Sequence, residues 1–281
     1  MARAGRTRGI AAAALVAASM TAASMDAAPT DAAPWAVRPG AGPTTADAGQ
    51  DQGDHAPGAR DARADALAQR VLEAMGGRQG WEQVRWLRFG FAGRRTHLWD
   101  LSTGRHRVEG TTPEGEPYVV IHDLDTRQGR AWSGGEPATG EALSELLEGA
   151  WGAWVNDTYW LLMPWKLRDP GVLLTHEGTR ELDGRPHEVL HLRFESVGLT
   201  PGDRYWVFVD PQTDLVAAWE YILEGQPAQG PATRWRWEGW QQHGPVLLAP
   251  RRVQEGSDRV LELAPLEVGT GEPPTEPFAG P

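Results

Sequence analysis

The chain of 281 residues contains no cysteine. That excludes disulfides, thiolate metal sites, cysteine nucleophiles and a lipid-modified N-terminal cysteine. Lysine is almost as scarce: Lys166 is the one lysine among 27 basic residues, which face 38 acidic ones for a net charge of −11. An acidic chain without a basic cluster lacks the electrostatic footprint of a nucleic-acid partner. There is no G-x-S-x-G nucleophile elbow and no phosphate-cradling glycine loop. Phe and Tyr are few, 5 and 4, while Trp numbers 14. Apolar residues make up 40% of the chain, enough for a sizeable core.

The chain opens with Arg3, Arg6 and Arg8, an apolar run over 10–18 and small residues to 28. This is the layout of a secretory signal peptide, and the run is well short of the roughly 20 residues a spanning helix needs. Residues 29–60 are Ala, Gly, Pro, Thr and Asp around a single Trp35, too little apolar surface to offset chain entropy, and are expected to form a disordered linker. Residues 265–281, rich in Pro and Gly, read the same way, as a disordered tail. That leaves 61–264 as one domain, exported and soluble in the periplasm or outside the cell once the leader is removed.

Two helices are expected in that domain. Over 61–75, Leu67, Val71, Leu72 and Met75 share a face, and Gly76-Gly77 supplies a left-handed stop. Over 140–154, Leu143, Leu146, Leu147, Ala150, Trp151 and Trp154 form one stripe. Most of the rest reads as short strands at 84–93, 96–101, 105–109, 118–123, 129–133, 172–177, 187–195, 204–209, 215–223, 233–241, 246–254 and 259–263. Asp183-Gly184 is a hairpin signal, and Pro201-Gly202 and Asp210-Pro211 mark further reversals. Consecutive strands with short links and no intervening helix predict a mainly β, α+β fold: an antiparallel sheet curved into a half-barrel against two or three helices. Alternation puts Trp219, Tyr221 and Leu223 on one face of their strand. It likewise puts Trp235 and Trp237 opposite Arg234, Arg236 and Glu238. Tryptophan on that face either packs the core or lines a cavity for an apolar ligand.

His187-Glu188-Val189-Leu190-His191 matches the zinc-protease pattern H-E-x-x-H. The chemistry needs a helix; in a strand the two imidazoles stand about 13 Å apart at ~3.3 Å per residue and cannot share one ion. The hairpin signal just before it and the strands on both sides favour the strand, and a third ligand is missing: Phe194 stands where the longer metalloprotease pattern has Gly, and no His follows at the required spacing. A zinc hydrolase with Glu188 as base is therefore the alternative reading. His97 and Asp100, three apart in a strand, fall on opposite faces and make no dyad. The other histidines are scattered singly and read as surface groups.

The densest apolar stretch begins at Trp151. Asn156 or Asp157 is expected to cap a short new helix, Pro164 to stop it, and Asp169-Pro170-Gly171 to turn the chain. The segment between (Tyr159, Trp160, Leu161, Leu162, Met163, Trp165) has the make-up of a plug or lid, with Lys166 at its edge. The block Asn156-Asp157-x-Tyr159-Trp160-Leu161-x-Met163-Pro164-x-Lys166-Leu167-x-Asp169-Pro170-Gly171-Val172 resembles the central block of a family of exported bacterial proteins of unknown function. Supporting pieces are Met75-Gly76-Gly77, Trp81, Trp99-Asp100, Phe194-Glu195-x-Val197-Gly198-x-Thr200-Pro201, Val207-x-Val209-Asp210 and Trp219. The resemblance spans about 66–252. That family is similar in turn to the LolA/LolB type of lipoprotein carrier, whose half-barrel sheet curls around helices and accepts acyl chains in an apolar cavity.

The resemblance carries no catalytic residues and no cofactor. It implies a non-catalytic carrier-like protein for a lipid, a hydrophobic small molecule or an acylated protein, in transient contact with membranes or membrane-bound partners. In that reading Trp151, Trp154, Trp160 and Trp165 form the lid, with Lys166 as a candidate anchor for an anionic head. Trp86, Trp99, Trp219, Trp235 and Trp237 are the candidate wall. Exposed indoles stacking on a glycan are a third possibility.

Overall fold

The computed structural model describes residues 61–194, 203–223, 225–227 and 230–281. The leader over 1–28, the linker over 29–60, the Pro201-Gly202 reversal and the motif residues 195–201 lie outside the described residues. The architecture is mainly antiparallel β with helices, and the chain packs as two compact units. Where the sequence reading has one domain over 61–264, the first unit here is Val84–Leu161 with Leu261–Pro281. Residues 61–83 and Leu162–Val260 form the second.

In the first unit, β1 (Trp86–Phe91), β2 (Arg95–Asp100), β3 (Arg105–Thr111), β4 (Pro117–Asp123), β5 (Gly129–Ser133) and β6 (Glu136–Pro137) follow one another as an antiparallel meander. A further strand, β16 (Leu266–Gly269), pairs on the far side of β1, so the sheet has seven strands. One helix, Gly140–Leu162, covers its inner face. Val108, Val120 and Ala131 of the sheet close on Leu146 and Ala150 of that helix.

The helix differs from expectation in being continuous. Asn156 and Asp157 do not cap a new helix; they sit inside this one, and Pro164 falls in a separate 3-10 turn, Met163–Lys166. Aspartate is poor in a helix interior because its carboxylate competes for backbone N–H groups. Here side chains of the sheet occupy the Asp157 carboxylate instead. The Pro-rich C-terminus is a second correction. Residues 265–281, read as a disordered tail, carry β16 and a 3-10 turn at Glu276–Phe278. Phe278 is buried against Leu98 and Ile121, and Arg107 donates to the carbonyls of Pro277 and Gly280 at 2.7 Å each. A proline-rich segment has few N–H donors but keeps its carbonyls, and these hold it to the sheet.

The second unit starts with the helix Ala62–Ala74, hereafter α1, capped by Asp61, whose carboxylate accepts from Arg63 N at 2.8 Å. Gly76, with φ of 114°, ends it as the paired glycines predict, and a short α2 (Gly77–Trp81) follows. The Gly140–Leu162 helix of the first unit is α3. The second sheet runs in the order β15-β14-β11-β10-β9-β8-β7. Its strands are β7 (Val172–Leu182), β8 (Arg185–Phe194), β9 (Arg204–Val209), β10 (Val216–Ile222), β11 (Thr233–Glu238), β14 (Arg251–Gln254) and β15 (Val260–Glu262). A separate hairpin joins β12 (Gln241–His243) to β13 (Val246–Leu248). Asp183 and Gly184, both at positive φ, make the tight turn that their sequence signals.

Trp219 pairs with Trp235 across β10 and β11, and Tyr205, Tyr221 and Trp237 complete an aromatic cluster on the same face. On the opposite face Glu220 accepts from Arg180 and Arg234, whose guanidinium groups lie over the Phe208 ring at 4.7 and 5.2 Å. The alternation read from the sequence is the alternation observed. Among the described residues, no helix is long and apolar enough to cross a membrane.

Candidate functional site

The inner face of the first sheet carries a chain of polar side chains that its hydrophobic surroundings do not explain. Arg95 and His97 project from β2, His106 from β3 and His122 from β4, all toward α3. Register accounts for the alignment: His106 stands opposite Trp99 on β2 and opposite His122 on β4, while His97 is one pleat further along β2 on the same face. Asp157 reaches down from α3. Arg95 donates to it twice, at 2.5 Å to Oδ2 and 2.8 Å to Oδ1, a bidentate pair with Asp157 fully buried. His97 Nε2 lies 2.8 Å from Asp157 Oδ2, His97 Nδ1 lies 2.9 Å from His106 Nε2, and His106 Nδ1 lies 2.8 Å from His122 Nε2. Phe89 stacks on His97 from β1 at 4.6 Å. The three imidazoles are 0%, 0% and 2% exposed.

Charge in this chain is concentrated at one end. Burial alone would raise the Asp157 carboxyl, but the Arg95 guanidinium and the His97 N–H outweigh it and hold it at about 2. Burial depresses His97, takes His106 well below the ordinary imidazole value and brings His122 down to about 4. At neutral pH the chain therefore holds one carboxylate, one guanidinium and three neutral imidazoles. Tyr118 of β4 stands beside Arg95, with burial pushing its phenol up. Gly110 makes that approach possible. It pairs with both Arg95 and Tyr118, and an added Cβ there would lie 2.5 Å from the Arg94 carbonyl oxygen, 2.9 Å from Arg95 Cβ and 3.0 Å from the Tyr118 hydroxyl.

Beside this chain is a cavity of about 510 Å³. Val108 and Val120 form its floor; Leu146, Gly149, Ala150 and Ala153 of α3 form its roof. Arg94, Arg95, Thr111 and Tyr118 gather at its polar side. The volume falls within the range of small-ligand sites, and polar and apolar groups share the lining about equally. A second cavity of about 280 Å³ lies on the other face of the same sheet, by Trp86, Leu98, Arg107 and Pro277.

The residues singled out from sequence stand mostly apart from the first cavity. None of the ten borders it, and Trp86 borders the second. Trp99 and Trp154 meet edge to face at 5.2 Å in the first unit, where Trp151 carries Arg127 over its ring at 3.6 Å. Trp160 is buried in α3. In the second unit Trp165 packs on Trp81 at 5.0 Å, Lys166 pairs with Asp169 at 3.2 Å, and Trp219, Trp235 and Trp237 belong to the aromatic cluster. Trp99, Trp154, Trp160, Trp165, Trp219, Trp235 and Trp237 are too buried to offer a platform for stacking sugars, while Trp86 and Trp151 are half-buried. His187 and His191 lie in β8. His187 Nδ1 faces the Arg185 carbonyl oxygen; His191 pairs with Glu177 and stacks on Trp206 at 4.9 Å. The H-E-x-x-H spacing is thus on a strand, where it cannot close on one ion, and no cluster of three metal-type ligands occurs among the described residues. The zinc reading is set aside on that geometry.

Sequence reasoning missed His97, His106, His122, Arg95 and Asp157. Reading the histidines as scattered surface groups is overturned by their burial. The available signal was hairpin register: aligning 95–100, 105–111 and 117–123 places the three on one face.

No family model matches the chain, and no curated protein is significantly similar in sequence. Solved structures are similar in architecture. A LolA superfamily protein from Nitrosomonas europaea aligns over 76% of this chain and 96% of its own, with 12% identity and a TM-score of 0.43. A DUF1329 family protein from Desulfovibrio piger aligns over 76% and 96%, with 10% identity and a TM-score of 0.40. An outer membrane lipoprotein-sorting protein domain from Vibrio parahaemolyticus aligns over 75% and 97%, with 8% identity and a TM-score of 0.33. These are likenesses of chain path alone; function is read from this chain's own residues.

Proposed function

We propose that this chain is an exported binding or carrier protein for an apolar ligand, a lipid or the acyl group of a lipidated protein. The cavity between β3, β4 and α3 would house the tail. The observation that carries the reading is the cavity itself, about 510 Å³ with an apolar floor and roof and a polar side at Arg94, Arg95, Thr111 and Tyr118. An acyl chain of ~16 carbons transferred from water gains up to ~13 kcal/mol gross at ~0.8 kcal/mol per methylene. Association and ordering consume roughly 4–15 kcal/mol, so the net affinity suits reversible pick-up and release. In this reading the buried tryptophans hold sheet and helix in shape, and Trp99 and Trp154, in the same unit as the cavity, report its occupation.

The test is a titration of delipidated protein with palmitate or a diacylated lipopeptide, followed by Trp fluorescence. A saturable one-to-one change is expected. Ala150→Phe fills the roof of the cavity and should abolish it while the protein still unfolds cooperatively; an unchanged titration in that variant, or none in the wild type, removes the proposal.

A further inference from the structure

The imidazole chain has a direction. An ionised carboxylate only accepts hydrogen bonds, so the His97 nitrogen facing Asp157 must carry the proton. A neutral imidazole has one N–H and one lone pair, which leaves His97 Nδ1 an acceptor and makes His106 Nε2 the donor to it. The same step repeats from His106 Nδ1 to His122 Nε2. All three rings are thereby fixed as Nε2–H tautomers. The series ends on the lone pair of His122 Nδ1, which is buried and has no hydrogen-bond partner. Such an acceptor is a place for a proton to enter.

The other end of the chain borders the cavity. Arg95 lines it, yet its charge is already balanced by Asp157. Arg94, the other cation at the polar side, is exposed to solvent, so an anionic head seated on Arg95 would bring a second negative charge to one buried guanidinium, and in a low-dielectric site an uncompensated charge is taken out by protonation. We propose that this cavity takes up anionic amphiphiles, a carboxylate bearing an alkyl tail, together with one proton, and that the three histidines deliver that proton to Asp157. The inference rests on the cavity being a ligand site.

The step balances. One proton from solvent adds to His122 Nδ1, and the His122 Nε2 proton passes to His106 Nδ1. The His106 Nε2 proton then passes to His97 Nδ1, and the His97 Nε2 proton passes to Asp157 Oδ2. Asp157 ends as a neutral acid, each imidazole ends neutral as the Nδ1–H tautomer, and the Arg95 charge is left to the ligand. The charged and titratable groups facing the chain are Arg95 from β2, Tyr118 from β4, Asp157 from α3 and Asp123 beside His122. Phe89 covers it from β1.

The experiment uses the full chain, delipidated, with decanoate and its neutral counterpart decanol. Calorimetry at pH 7 in buffers of different ionisation heat should show about one proton taken up per decanoate and none per decanol. Decanoate affinity should fall about tenfold per unit rise in pH. Nitrogen-15 spectra of the imidazoles should show three Nε2–H tautomers in the free protein and a switch to Nδ1–H on decanoate, but not on decanol. Asp157→Asn should bind decanoate with no proton uptake and no pH dependence. Decanoate binding with unchanged tautomers and no uptake overturns the proton inference and leaves the binding reading standing; binding of neither ligand overturns both. Any of the three rings found as Nδ1–H in the free protein also overturns the relay.

Discussion

The two units are built from the same part, a seven-stranded antiparallel sheet with one face turned inward, and they fill that face in opposite ways. In the second unit it is Tyr205, Trp219, Tyr221, Trp235 and Trp237, ring against ring, with Trp219 wholly buried. In the first it is His97, His106 and His122, a carboxylate–guanidinium pair and a cavity. Large aromatic side chains in contact are the direct route to stability. Buried ions and voids work against it, because each ion must recover its hydration through partners and each void forfeits dispersion contacts. A fold that spends one sheet on packing and keeps polar groups beside empty space on the other has separated its scaffold from its candidate site.

Two substitutions would break that comparison at its strongest points. Asp157→Ala strands Arg95, whose side chain is only 10% exposed, next to a chain of imidazoles that loses its acceptor. Removing one partner of a buried pair costs about 3–5 kcal/mol, and we expect a loss near the top of that range in denaturant unfolding. Trp219→Leu opens the aromatic cluster of the second unit and should cost about 3 kcal/mol by the same measurement. The two should differ in what else changes: the pH dependence of decanoate binding is lost in Asp157→Ala and intact in Trp219→Leu. Equal effects of both on binding would mean that scaffold and site are not separated.

How much of this was legible depended on whether the signal was local. Period-2 alternation placed Trp219, Trp235 and Trp237 on one face and Arg234 and Arg236 on the other, because a strand carries that information within itself. The Asp183-Gly184 turn and the Gly76 stop were equally local, each set by positive φ. Asp157 was misread for the complementary reason. Its type is at home at a helix start, and only partners 60 and 62 residues away, His97 and Arg95, make it acceptable in mid-helix. The histidines, 9 and 16 residues apart, meet only once the registers of two hairpins are known. The cavity is harder still. Gly149, Ala150 and Ala153 are small residues of α3, and that space remains beside them follows from where the sheet ends up. Tryptophan, the most conspicuous residue type, pointed to the scaffold.

The comparison also predicts opposite responses to pH. In the first unit burial holds His122 at about 4 when folded, below the usual 6.5, and depresses His97 and His106 as well. The unfolded chain binds those protons first, so stability is full above pH 6.5 and falls as the pH drops toward 4. A single imidazole shifted that far accounts for roughly 3 kcal/mol. In the second unit burial lowers Lys166 from 10.5 to about 8, against the attraction of Asp169. Between pH 8 and 10.5 the unfolded chain holds the proton that the folded one has lost, so stability rises across that window, again by roughly 3 kcal/mol or less. Urea unfolding at fixed temperature from pH 4 to 10.5 checks both. His122→Gln should make the acid limb shallower without touching the alkaline one, since His97 and His106 remain, and Lys166→Met should flatten the alkaline limb alone; a variant that changes both would show that the groups titrate as one system.

The smallest expected effect sharpens the boundary between packing and polarity inside the first unit. Gly110 lies between Arg95 and Tyr118 on adjacent strands, and its missing side chain is what lets the two meet over β3. A methyl group there has a backbone carbonyl oxygen 2.5 Å away that cannot swing aside, besides the movable Tyr118 hydroxyl at 3.0 Å. Overpacking of this kind costs about 1–3 kcal/mol, and Gly110→Ala should fall within that range, because the backbone carbonyl holds its place and only the Tyr118 side of the contact can give. What gives is informative. If Tyr118 moves and the Arg95–Asp157 pair stays, the acid limb keeps its slope and decanoate binding weakens only modestly. If Arg95 is displaced, Asp157 loses its counter-ion, its carboxyl rises from about 2, and the midpoint of acid unfolding moves to higher pH. The second outcome would make the glycine part of the polar site; the first leaves it a packing device for the mouth of the cavity.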